Sequence, residues 1–124
     1  MRTRFLVAAG ILTALCLGGC VGNTSGVCDT GDTCTCNGVG NCDWDCPDGA
    51  CNLRCEGTGN CTFTCPGGDC TFYCEGIGNC LASCSGNGCN MLCSGAGNCI
   101  LEDCTTGCQQ TCANTGTCEC TLCS

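Results

Sequence analysis

Histidine and lysine are both missing from these 124 residues, and the only bases are Arg2, Arg4 and Arg54. Without histidine there is no side chain poised to move protons near neutral pH, and no serine has a plausible base. The usual acid–base and nucleophilic constellations therefore lack their parts, and the chain is expected not to be an enzyme. From Cys20 onward one base, Arg54, stands against eleven acids. Nothing there would neutralise phosphates, which excludes nucleic acid as a partner, and a bare anionic lipid surface would repel the chain. Aromatic residues number five and prolines two, and Leu, Ile, Val and Phe are scarce beyond the first twenty positions. An ordinary aliphatic core is not available to a chain of this size. What the sequence has instead is 24 cysteines and 21 glycines. That cysteine density is the mark of a scaffold held by staples rather than by a core.

The N-terminus indicates the compartment. Met1-Arg2-Thr3-Arg4 is a basic start, and the apolar run FLVAAGILTALCLGG follows it. The run is too short for a membrane span but suits the apolar region of an export signal. It ends in Leu17-Gly18-Gly19-Cys20, which resembles a bacterial lipobox. The resemblance implies a signal peptide over 1–19, acylation of Cys20 and a tether over 20–27, with the lipid rather than the protein attaching the chain to a membrane. Val21, rather than Asp, follows Cys20, which by analogy with lipoprotein sorting implies the outer membrane or cell surface. Setting aside Cys16 with the signal and Cys20 with the lipid leaves an even number of cysteines. An exported, oxidising setting favours disulfides for them over free thiols or metal.

From Cys36 the gaps between cysteines run 6, 4, 5, 4 and then repeat, a period of 19 residues. Four units result, 36–54, 55–73, 74–92 and 93–111, with a partial fifth from Cys112. One unit slips locally, where Asp103 stands at the expected cysteine position and Cys104 follows it. Each unit holds two Cys-x-Φ-x-Cys segments, with Φ usually apolar. In a strand alternate residues face one way, so both cysteines and Φ point inward together. The inward pairs are Trp44 and Leu53, Phe63 and Phe72, Ala82 and Met91, then Leu101 and Gln110. Glycine-rich turns of alternating length separate the segments, and their glycines are expected to supply positive φ angles at the corners. The fold predicted is all-β: a short parallel β-solenoid of about four 19-residue coils, two strands per coil, cross-linked by disulfides. An N-terminal cap over 28–35 precedes the solenoid at 36–111, and 112–124 forms a partial coil and C-terminal cap.

Facing sheets lie about 10 Å apart, too far for a disulfide, so bridges belong near the turns where the sheets converge. One pairing scheme joins Cys46 to Cys51, Cys65 to Cys70 and Cys84 to Cys89 across the short turns. At the other end of each coil it joins Cys42 to Cys55, Cys61 to Cys74 and Cys80 to Cys93. The rival joins Cys74 to Cys80 across the longer turn, linking successive coils. Cysteine spacing alone does not separate the two. Asn41, Asn60, Asn79 and Asn98 fall in 19-residue register, with Thr117 at the next such position. They read as a structural hydrogen-bonding ladder rather than a row of ligands.

Several families share parts of this pattern. Cys61-Thr62-Phe63-Thr64-Cys65 resembles a coil of the disulfide-stapled insect antifreeze proteins, but only this coil has the outward threonine pair. The glycine-rich turns resemble the calcium-binding β-roll, yet asparagine stands where that pattern needs aspartate. Glu56 with Glu75, and Asp48 with Asp69, form no continuing columns of oxygen ligands. Cys34-Thr35-Cys36 and Cys118 to Cys123 would suit thiolate ligation in a cytosolic chain, but at the two ends of the repeat they read as extra bridges. Cys20 and the coils together resemble cysteine-rich repeat lipoproteins of myxobacterial-type Gram-negative bacteria. The expectation is a non-enzymatic, lipid-anchored surface, structural or adhesion protein with no cofactor and no metal site. The alternative is a metal-binding (calcium or thiolate) or stress-protective module. Protein or glycan recognition, if any, falls to outward residues such as Thr62, Thr64, Thr71 and Tyr73.

Overall fold

The computed structural model describes residues 23–123. The expected signal peptide, the lipid site Cys20 and Val21 lie outside the described residues. Eleven short strands follow one another: β1 (Thr24–Val27), β2 (Thr33–Cys36), β3 (Cys42–Asp45), β4 (Asn52–Cys55), β5 (Cys61–Thr64), β6 (Thr71–Cys74), β7 (Cys80–Ser83), β8 (Asn90–Cys93), β9 (Cys99–Glu102), β10 (Gln109–Cys112) and β11 (Cys118–Cys120). Odd strands form one sheet in the order β1-β3-β5-β7-β9-β11, and even strands form the other, β10-β8-β6-β4-β2. Every pairing is parallel and joins a strand to the equivalent strand of the next coil. Cys42, Cys61, Cys80, Cys99 and Cys118 are in register along one sheet. Cys36, Cys55, Cys74, Cys93 and Cys112 are in register along the other. This is a parallel β-solenoid of about five turns.

The stack begins earlier than the cysteine period indicates. Thr24–Val27, expected to be tether, is the first strand and pairs with β3. Residues 33–35, expected to be cap, form β2 together with Cys36 and pair with β4. The segment TSGV has no cysteine, and its middle inward position is Gly26, which hides it from a search for Cys-x-Φ-x-Cys. That glycine has a steric reason. A Cβ on it would meet the Trp44 ring at 2.6 Å, so the absent side chain makes room for the indole.

The core is thin and largely sulfur. Leu53, Phe63, Phe72, Ala82, Met91 and Leu101 are fully buried among the cysteines, and no polar or charged residue of the described chain is buried. Phe63 and Phe72 stack across the two sheets with ring centroids 5.9 Å apart, a geometry that adds to their burial. Trp44 is half-buried under the first coil. At the far end Gln110 closes the core, its amide donating to the carbonyl of Cys99 at 3.4 Å. A polar side chain satisfied in this way suits the last layer, where one side faces water.

Candidate functional site

Eleven bridges take up every cysteine from Cys28 to Cys123. Across the short turns Cys46 pairs with Cys51, Cys65 with Cys70, and Cys84 with Cys89, with Cα atoms 6.3–6.5 Å apart. Cys104 pairs with Cys108 in the coil that slips. At the opposite end the pairing across one coil, Cys42 with Cys55, Cys61 with Cys74 and Cys80 with Cys93, is not what forms. Those cysteines bridge the longer turns instead: Cys36 to Cys42, Cys55 to Cys61, Cys74 to Cys80 and Cys93 to Cys99. The reason lies in the helical rise. Each coil climbs about one strand spacing, so Cys61 stands roughly half a coil above Cys55 and half a coil below Cys74. The sequentially nearer partner closes the smaller loop, which is the lower-entropy-cost choice. Each such bridge therefore ties one coil to the next. Cys28–Cys34 and Cys120–Cys123 close the two ends of the stack, where strand edges are otherwise open.

The asparagines form a continuous ladder beside the longer turns. The side-chain oxygens of Asn41, Asn60 and Asn79 accept the backbone N–H of Asn60, Asn79 and Asn98 at 2.9–3.0 Å. Asn98 likewise accepts from Thr117 at 2.8 Å, and Asn23 from Asn41 at 3.1 Å. These oxygens are committed along the stack. The longer turns also show what their glycines are for. None has a positive φ among the described residues; those angles fall on the short turns, as at Gly49 and Gly68 (both φ 80°). The long-turn glycines are instead close-approach positions: a Cβ on Gly59, Gly78 or Gly97 would overlap the carbonyl of the glycine one coil below.

The outward faces of the two sheets differ. The odd-strand face presents Asp43, Asp45, Glu102 and Glu119 among Ser25, Thr62, Thr64, Leu81, Ser83 and Ile100. The even strands themselves carry no carboxylate, and Glu56 and Glu75 reach Arg54 from the adjoining longer turns. Thr33, Asn52, Thr71, Asn90 and Gln109 form one outward row, and Thr35, Arg54, Tyr73, Leu92 and Thr111 the other. Thr62 and Thr64 thus stand on the opposite side of the molecule from Thr71 and Tyr73, so these residues do not make a single site. Arg54 lies 4.8 Å from the Tyr73 ring centroid and is held by Glu56 and Glu75 at 2.8 Å each. The hydrogen bond to Glu56 is the main reason its pKa is raised above the ordinary arginine value; partial desolvation opposes this, and the charge of Glu75 adds to it. The sequence does not declare the cluster, because Arg54 and Glu75 lie 21 residues apart and the coil register is what brings them together.

A shallow recess of about 300 Å³ opens at the N-terminal edge, lined by Asn23, Thr24, Ser25, Asn41, Cys42, Asp43 and Thr62. Asp43 is its one ionisable group, so it holds neither a nucleophile–base pair nor a carboxylate dyad. Three groups of cysteine sulfurs cluster closely enough to resemble metal sites. All nine are bridged, however, and a bridged sulfur is not the thiolate that a metal takes. No protein-family model matches the chain, and neither a curated protein nor a solved structure matches it.

Proposed function

We propose that this chain is a non-enzymatic, lipid-anchored structural or adhesion protein of the bacterial envelope, displayed at the outer membrane or cell surface. The observation that carries the reading is that every described cysteine is bridged in a stack with little other core. Such a stack suits an oxidising compartment, because reduction would leave too few buried apolar side chains to offset the backbone entropy of folding. The lipobox-like Leu17-Gly18-Gly19-Cys20 supports the anchor, and the acidic surface leaves the lipid to make the membrane attachment. The even-strand face, whose strands bear amide and hydroxyl groups and no carboxylate, is the better candidate for a protein or glycan partner. The odd-strand face and the turns carry the charge that keeps the protein soluble.

Intact-mass measurement on protein taken from membranes of the native host tests this reading. The expected species starts at Cys20, carries acyl groups and has every other cysteine oxidised. A Cys20→Ala variant should leave the membrane fraction. An unacylated soluble species, or one retaining a metal on free thiols, would overturn the proposal.

A further inference from the structure

The sulfurs of Cys46, Cys51 and Cys70 all lie within 4.8 Å of one another, as do those of Cys74, Cys93 and Cys99, and of Cys84, Cys104 and Cys108. In each triad two sulfurs share a bridge and the third belongs to the bridge of a neighbouring coil. The backbone is already placed for the third sulfur to change partner. Cys74 and Cys93 are register partners in adjacent strands. Cys51 and Cys70 stand just before a register pair, with the Thr71 N–H donating to the Cys51 carbonyl at 2.9 Å. Adjacent strands are about 4.8 Å apart, inside the roughly 4.4–6.8 Å span of Cα atoms that a disulfide accepts. At these two junctions the Cα spacing therefore admits a bridge along the stack, and at the third, Cys84 with Cys104 and Cys108, the closeness of the sulfurs is the ground.

We propose that these three triads are exchange junctions, at which a thiol set free in one coil passes to the next without unfolding of the stack. The chemistry is thiol–disulfide exchange and involves no net oxidation. Cys65 is fully buried, so local opening of the short turn is what admits a small external monothiolate, which attacks Cys65, forms a mixed disulfide there and releases Cys70 as a thiolate. Cys70 then attacks Cys51, the Cys51–Cys70 bond forms, the Cys46–Cys51 bond breaks, and Cys46 leaves as a thiolate that takes up a proton. The coil that lost its turn bridge is thereby stapled to its neighbour, and the unpaired thiol has moved one coil away. Damage to one bridge is exchanged for a cross-link along the axis.

The full chain carrying Cys65→Ser provides the direct experiment, since it leaves Cys70 without its partner. After folding and incubation at mildly alkaline pH, the sample is quenched in acid, unfolded, alkylated and mapped. The label is expected on Cys46 or Cys51 as well as Cys70, together with a peptide linked through Cys70 to one of them. Below the thiol pKa the exchange rate should rise about tenfold per pH unit, following the thiolate fraction. It should not depend on protein concentration. Label confined to Cys70 would overturn the proposal, and so would label scattered over cysteines of distant coils. Cys28→Ser supplies the contrast: it leaves Cys34, which belongs to none of the three triads, so label should stay there. Migration from Cys34 would show that sulfur proximity is not what governs exchange. If Cys65→Ser does not fold, the unaltered chain treated with limiting monothiol decides the matter. In molecules with the adduct on Cys65, the free thiol must appear at Cys46 or Cys51, and a thiol found only at Cys70 would sink the idea.

Discussion

The two edges of the solenoid are built on different principles. Along the longer-turn edge, from Gly38 to Gly97, two glycine columns repeat without exception, and the asparagine ladder runs beside them. Along the short-turn edge PDGA, PGGD and SGNG share no column of one residue type, and positive φ falls on Ala50, Asp69 and Asn87 as well as on glycine. The irregularities collect there too. β1 and β3 are offset by 18 residues while β2 and β4 are offset by 19, so the first short turn is one residue shorter than the next. The cysteine slip at Cys104 occurs on the same edge. The longer turns set the register, and the shorter ones absorb departures from it. Main chain lies on main chain in both sets of turns, at Gly49 and Gly67 as at Gly59 and Gly78, so what distinguishes the longer ones is the unbroken repeat of their glycines and of the asparagine ladder beside them.

Removing one residue from each edge should separate the two most sharply. Loss of Thr58 puts the longer turn out of step with the glycine contacts and asparagine ladder of the coils on either side. The alternative, a one-residue slip of β5, would turn Cys61, Phe63 and Cys65 to solvent. The cost is expected to be of the order of exposing a buried Phe, about 3–5 kcal/mol. Loss of Ala50 makes a short turn like the one closed by Cys104 and Cys108, whose separation is four. It gives up two bonds, from the Gly31 N–H to the Ala50 carbonyl and from the Ala50 N–H to the Gly68 carbonyl, and about 1–3 kcal/mol is expected. Denaturant unfolding of both variants with bridges intact measures the gap. Equal losses would mean that the two edges constrain the stack alike.

Substitution at single glycines gives a smaller effect of the same kind. Gly78→Ala places a Cβ against the carbonyl of Gly59, and backbone cannot yield as a side chain tip would. A loss of about 1–3 kcal/mol is expected, as for overpacking elsewhere, seen as a fall in Tm of about 4–8 °C per kcal/mol for a domain this small. Ala50→Gly, at φ 59° on the other edge, should go the opposite way. It relieves a left-handed backbone that costs a non-glycine residue about 1–2 kcal/mol, less the extra freedom glycine has when unfolded. A net gain of a few tenths up to about 1 kcal/mol is expected from the same thermal scan.

The contrast between the edges explains which features could be read from the sequence. The Cys-x-Φ-x-Cys segments declare strand, period and inward face at once, so Phe63, Phe72, Met91 and Leu101 are found where alternation puts them. The first coil was not legible, because Thr24–Val27 replaces the usual inward side chains with Thr24 and Gly26. Pairing at the longer turns was not legible either, since the rise per coil leaves Cys61 between two nearly equivalent partners. The role of the long-turn glycines needed the stack itself. A glycine column reads the same whether it answers to a φ angle or to a carbonyl one coil below.

Loss of a ladder rung should cost less than a glycine clash. In Asn79→Ala the Asn98 N–H loses its acceptor, but it lies at an exposed position where water can replace it. About 0.5–1.5 kcal/mol is expected. Asn79→Asp keeps an acceptor oxygen and should remain near the unaltered protein. If alanine and aspartate prove equally costly, the ladder's stabilisation comes from packing of the amide and not from its hydrogen bond.

The smallest effect is expected at Arg54, the one point among the described residues where the longer-turn edge carries an ion pair between coils. Its guanidinium joins Glu56 to Glu75 and also rests on Tyr73. Because the pairs are exposed, Arg54→Met should cost little even at low salt. The sign of the salt dependence is the informative part. In the unaltered chain salt screens an attraction and lowers stability. In the variant it screens the repulsion between Glu56 and Glu75 and raises stability. The two unfolding curves should therefore converge as the screening length falls from about 10 Å at 0.1 M to about 3 Å at 1 M. Whatever difference survives at 1 M reports the contact with Tyr73, which depends on stacking and desolvation more than on distant charge. A gap that stays constant across that range would assign the effect of Arg54 to packing alone. The longer-turn edge would then owe its register to backbone contacts and asparagines, with no electrostatic share.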